Sequence, residues 1–293
     1  MTHWWQQLWR SPHHHQSRPT APSPSSSQAE GDGLWQAVMQ RLPILEGVDA
    51  PSLARLERRA RHQLHDWRLT SAEPLENIEA LALATQAMLL LNGWPQAERW
   101  QDAGARVHEV MLPEHAITRE VEDVDEAGVV HVFESTRAGE TWYQGPVVVT
   151  QEDLSASGDW SGFNVVIHEF AHKLDMANAT DADGFPPLPV HISADEWFTT
   201  FTAVWDDLTA RLSRGETTPI NDYAASHPAE CFAVCCEYFF TAPRTLNDAY
   251  PELYQLLERF FCQSPLKHCP ASAQARPRLH SGALTQSQSE QPT

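Results

Sequence analysis

The chain is short of positive charge. Its 293 residues carry 20 Lys and Arg side chains against 39 Asp and Glu, a formal charge of −19, which argues against any function built on attraction to nucleic acid or an anionic membrane. Long apolar runs are missing as well. Hydrophobic residues make up 42% of the sequence, enough for a core, but nowhere form the stretch of ~18 residues that a membrane span needs. The first ten residues hold three tryptophans, Trp4, Trp5 and Trp9, yet no basic segment leads into an apolar one, so they do not read as a secretory signal. Cysteine is sparse. Cys231, Cys235, Cys236, Cys262 and Cys269 are an odd number, confined to the last quarter and without a CxxC pair, which fits reduced thiols better than a disulfide framework. These absences predict a soluble, cytoplasmic globular protein.

Two stretches have little to bury. Residues 11–32 and 264–293 are dominated by Ser, Pro, Gln and His, a composition that cannot offset the entropy of ordering, so 1–32 and 264–293 read as disordered tails. The triplet His13, His14 and His15 falls in the first of them and reads as solvated low-complexity sequence. What remains, 33–263, is long for one domain and short for two, and predicts one unit with two lobes. Helical patterns cover 34–45, then 51–64 opened by Asp49 as a cap, then 74–91 closed by Asn92 and Gly93. The period then changes. Residues 107–112, 128–134 and 146–150 are short and β-branched, the strands of a small sheet. Helices return at 162–175, 194–214, 228–240 and 250–262. The fold class expected is α+β, mainly helical.

Two charge clusters take bland readings. Arg55, Arg58, Arg59, Arg61 and Arg68 predict a solvated face, and the six carboxylates among residues 114–126 predict an exposed loop. Cys231 and Cys235, four apart on one predicted helix, read as small buried hydrophobes.

The chemistry lies in His168-Glu169-Phe170-Ala171-His172, the HExxH pattern. On a helix, residues four apart share a face, so both imidazoles can point at one ion, with Glu169 beside them to take a proton from water. Phe163, Val166, Ile167, Phe170 and Leu174 form an apolar stripe at helical spacing, and the histidines fall on the other side. A plain amphipathic helix would also carry polar residues there, facing water. Asn164 and Asp175 share the histidine stripe and could hydrogen-bond a ligand imidazole.

A catalytic zinc takes three protein ligands and keeps an open position. The extended metzincin pattern fails, because Asp175 stands where it has glycine and Asn178 where it has its last histidine. A separate helix must supply the third ligand. Glu230 and Glu237, both on 228–240, share one face about 10 Å apart along the axis. Spacing alone leaves the choice open.

HEFAHKLD at 168–175, DYAAS at 222–226, PAECFAV at 228–234 and EYFF at 237–240 together resemble the MtfA (Mlc titration factor A) family of zinc-dependent, gluzincin-type peptidases. His108-Glu109-Val110, Gly145-Pro146-Val147-Val148 and Ser161-Gly162-Phe163-Asn164 resemble it too, so the likeness covers most of 34–265. The resemblance implies a zincin-like fold with a small sheet beside the HExxH helix, and one Zn2+ per chain held by His168, His172 and Glu230. It implies Glu169 as the catalytic glutamate and places Tyr223 near the metal, where a phenol could stabilise an oxyanion. Glu237 then becomes structural. Residues 146–150 are the expected edge strand for an extended peptide. The implied activity is aminopeptidase-like cleavage of short peptides. The family's name further implies a partner, an Mlc-like transcriptional repressor whose capture relieves repression of sugar-transport genes; a non-catalytic sequestering protein is the rival reading.

Overall fold

The computed structural model describes residues 24–114, 117–124, 130–137, 139–141 and 145–273. Of the two expected tails, 1–23 and 274–293 lie outside this set. Helix α1, Pro24–Arg41, starts earlier than the expected position 34, and the Gly31 carbonyl accepts a hydrogen bond from Arg61 Nη2 at 2.7 Å. Asp49 caps α2, Ala50–Asp66, as its sequence position requires, accepting from the Ser52 N–H at 2.9 Å. Helix α3, Asn77–Leu89, opens at a Glu76–Glu79 capping box. Gly93 is not its left-handed cap. It is needed because a Cβ there would lie 2.1 Å from the Phe261 carbonyl oxygen.

Strand β1, Arg68–Ser71, which the sequence did not announce, pairs in parallel with β2, Glu109–Leu112, and β2 pairs in parallel with β6, Val147–Val149. The short β5, Gly139–Thr141, closes the sheet antiparallel to β6, giving the order β1-β2-β6-β5. The edge strands are therefore β1 and β5, and the expected edge at 146–150 is interior. The acidic stretch expected as a loop forms instead strand β3, Ile117–Val124, antiparallel to β4, Val130–Arg137. Its β-branched residues favour extended backbone, and β4 supplies the ladder partners.

After β6 come α4, Gln151–Ala156, and α5, Val165–Asp175, the helix of the HExxH pattern. Helices α6, Ala194–Ser213, α7, Pro228–Thr241, α8, Pro243–Ala249, and α9, Pro251–Phe261, follow. Helix α5 is the hub: β5, β6, α3 and α4 pack against it, and so does α7. Its apolar stripe is fully engaged, with the Phe170 ring between Trp67 and Trp100 at centroid distances of 5.2 and 5.0 Å. Burying an aromatic of this size stabilises by about 1.5–3 kcal/mol, so the stripe fixes the helix rigidly enough to carry buried polar groups on its other side.

The arginine cluster is not a uniformly solvated face. Arg58 meets Glu98 in the open, but Arg59 is only 1% exposed. Its guanidinium donates to the carbonyls of Leu91 at 3.0 Å and Trp94 at 3.0 Å, pinning the turn after α3. A planar fork of donors suits a chain bend that leaves several carbonyls pointing inward. Among the described residues, no helix is long and apolar enough to cross a membrane.

Candidate metal centre

Every residue of α5 is buried, the polar ones included. His168 and His172 are 5% and 9% exposed, so the water-facing arrangement of an ordinary amphipathic helix is not what forms. Asn164 caps the helix, its Oδ1 accepting from the Ile167 N–H at 2.9 Å and its Nδ2 donating to Gln86 Oε1 at 2.7 Å. It thus orients α5 and does not touch an imidazole.

The two His Nε2 atoms lie 3.1 Å apart. Oε2 of Glu230, one turn into α7, lies 2.9 Å from His168 Nε2 and 3.3 Å from His172 Nε2. His227 and Pro228 start α7 so that Glu230 falls in its first turn. These three residues are the group of potential metal donors among the described residues whose donor atoms gather within 4.8 Å of one another. Donors bonded at about 2.0–2.1 Å to a tetrahedral ion stand roughly 3.3–3.4 Å apart, so the observed triangle is within a few tenths of an ångström of one that fits such an ion. Burial alone would raise the Glu230 carboxyl, but the imidazoles of His172 and His168 outweigh it and hold that carboxyl far below its ordinary value.

Glu237 reaches His168 from the other side. Its Oε1 lies 2.8 Å from His168 Nδ1, and its Oε2 accepts from the Asn164 N–H at 2.6 Å. A carboxylate only accepts, so His168 donates from Nδ1 to Glu237, and the neutral tautomer with its proton there would present Nε2 to a metal. The two glutamates that spacing could not separate therefore sit on different nitrogens of one ring. Burial works to lower the His168 imidazole, yet hydrogen bonds and charge from Glu230 and Glu237 hold it well above its usual value.

Glu169 is 4% exposed, one position beyond His168. Its charge acts on Lys173 four residues on, whose ammonium burial lowers to about 8 and whose Nζ donates to the Gly145 carbonyl at 2.8 Å. Tyr223 lies on a 3-10 turn, Asp222–Ala225, which packs against α6 and α7. Its half-buried ring stacks on His168 with centroids 6.2 Å apart and planes at 30°. Asp175 Oδ2 accepts from the Gly184 N–H at 2.7 Å, and burial pushes its carboxyl up to about 7. The Asp183–Gly184 pair is the turn signal in the sequence that marks this contact. Cys231, Cys235 and Cys236 are buried free thiols on α7, with Cys236 shifted up by burial, as small core residues would be.

Four sequence-predicted residues, His168, His172, Glu230 and Tyr223, are thus brought together from three elements, with Glu169 buried on the histidine helix. A helix-borne histidine pair and a carboxylate from a second helix form a set of donors that could hold a metal ion. Residues 18–262 match the family model of the glucose-regulated metallo-peptidase M90, and the chain belongs to that family. It is 34% identical over 244 residues to a protein of Yersinia enterocolitica named Mlc titration factor A, covering 82% of this chain and 88% of that relative. Proteins of the same name from Yersinia pestis and Yersinia pseudotuberculosis are 36% identical over 245 residues, covering 82% of this chain and 87% of each relative.

Proposed function

We propose that this protein is a zinc-dependent peptidase of zincin-like fold, with an aminopeptidase-like preference for short peptides. His168, His172 and Glu230 hold the ion, and Glu169 is the general base. The convergence of three donor atoms within 4.8 Å, with a buried glutamate on the same helix, carries this reading. When bound, zinc supplies the Lewis acidity that polarises a scissile carbonyl and acidifies a water. Glu169 takes the proton of the attacking water and returns it to the leaving amine. The Tyr223 hydroxyl donates a hydrogen bond to the developing oxyanion. Glu237 keeps His168 in the tautomer that offers Nε2. An extended substrate pairs along the outer backbone edge of β5, the strand packed beside α5.

The test is elemental analysis with hydrolysis assays on alanyl chromogenic substrates. The wild type should carry about one zinc per chain and Glu230→Ala close to none. Glu169→Gln should keep the zinc while its turnover falls by roughly 10²–10⁴-fold. Full activity in a zinc-free protein would overturn the proposal. The relatives' name, Mlc titration factor A, favours a second role in binding a transcriptional repressor, and Glu169→Gln separates the two: repressor binding that survives in it is independent of hydrolysis.

A further inference from the structure

Two polar atoms of α5 are buried without a hydrogen-bond partner, and both border the metal centre: Nδ1 of His172 and Oδ1 of Asp175. Their residues are three apart on one helix, the spacing at which side chains meet across a turn. The remaining atoms of both groups are committed. Asp175 Oδ2 accepts from Gly184, and His172 Nε2 faces His168 Nε2 and Glu230. An imidazole that offers Nε2 to a cation must carry its proton on Nδ1, where it becomes a buried donor in need of an acceptor. Asp175 Oδ1 is a buried acceptor in need of a donor. His168 meets the same requirement through Glu237.

We propose that Asp175 is the positioning residue of His172, its Oδ1 accepting the Nδ1 proton directly or across one bridging water and so fixing the ring for the metal. The proposal rests on the reading of His168, His172 and Glu230 as ligands. It gives the carboxylate two tasks, because Oδ2 also holds Gly184 while the Gly184 carbonyl accepts from the Trp197 indole at 2.9 Å. Gly184 is confined to this place by a φ of +81° and by the Pro228 carbonyl oxygen, which a Cβ would meet at 2.7 Å. One side chain thereby links His172 to α6 and to the start of α7.

Asp175→Asn separates the two tasks. The amide oxygen still accepts from Gly184, but an NH₂ donor replaces the acceptor facing His172. Zinc affinity, measured by competition with a chromogenic chelator, should fall roughly 10- to 100-fold in Asp175→Asn, while its melting temperature without metal stays near that of the wild type. A carboxylate that served only the Gly184 turn would leave zinc affinity unchanged in Asp175→Asn, and that result overturns the proposal. Nitrogen-resolved NMR of the zinc-loaded wild type gives a second reading should the variant fail to fold. It should show a His172 Nδ1 proton protected from exchange; a rapidly exchanging one counts against Asp175. His172→Ala and Glu230→Ala are run alongside. If they keep their zinc, the ligand assignment itself fails; if they lose it and Asp175→Asn does not, only the present inference fails.

Discussion

His168 is the residue on which the centre turns, because each of its ring nitrogens meets a carboxylate, Nε2 facing Glu230 at 2.9 Å and Nδ1 donating to Glu237 at 2.8 Å. The two contacts have different consequences. Losing Glu230 removes a donor atom, whereas losing the charge on Glu237 leaves three donors and weakens the hold on one ring. Glu237→Gln should keep a hydrogen bond to the Asn164 N–H and still bind zinc, but roughly 10- to 100-fold more weakly. Chelator competition checks this, and an unchanged affinity would show that the Nδ1 contact does not tune the metal. Both glutamates were visible in the sequence at helical spacing. Which ring nitrogen each would meet depends on where α7 crosses α5, and no local pattern encodes that.

At the scale of elements, α5 keeps five polar residues buried because its apolar stripe and its neighbours hold it in place. Close packing sets hard limits elsewhere. Gly93 lies under the end of α9, where a Cβ would meet the carbonyl oxygens of Phe261 and Cys262 at 2.1 and 2.6 Å. Backbone cannot swing aside as a side chain can, so Gly93→Ala should destabilise by about 1–3 kcal/mol. Gly33, inside α1 with nothing within 4 Å of its missing Cβ, should respond with the opposite sign, Gly33→Ala gaining roughly 0.5–1 kcal/mol from helix propensity. Urea midpoints at constant m-value measure both. The sequence marked Gly93 as a helix stop; its role as a close contact between residues far apart in the chain became apparent only in three dimensions. The acidic run that pairs as β3 teaches the same lesson, since a strand's existence depends on a partner that its own residues do not specify.

For the whole molecule, a metal held by His168, His172 and Glu230 would join elements distant in sequence, α5 and α7, so its removal should be felt globally. With free zinc at about 1,000 times Kd, linkage adds roughly 4 kcal/mol to the folded state. Calorimetric melting with and without a chelator should show that gap, and equal melting temperatures would mean that the folded state does not bind the ion. A second global dependence comes from His268, packed edge-on to Trp160 at a centroid distance of 5.8 Å. Burial lowers its imidazole below the ordinary 6.5, with Asp49 opposing weakly. A proton therefore binds the unfolded chain more readily than the folded one, so this contribution to stability is present above pH 6.5 and is lost as pH falls below it. His268→Gln should flatten the fall in melting temperature between pH 7 and pH 5 relative to the wild type, both measured without metal.

The sequence by itself determined the periodic features: the helix bearing His168, Glu169 and His172, the Asp49 cap, most of the remaining helices, and three residues of the centre within one local pattern. Local spacing and capping chemistry act within a few residues, so they can be read along the chain. Tertiary structure decided the rest. It set Glu230 and Glu237 on different sides of His168, brought the Tyr223 ring over the same imidazole, buried Arg59 against four backbone carbonyls and put β5, rather than residues 146–150, at an edge of the sheet. Those outcomes follow from how helices and strands pack against α5, and packing depends on residues distant in sequence meeting in space.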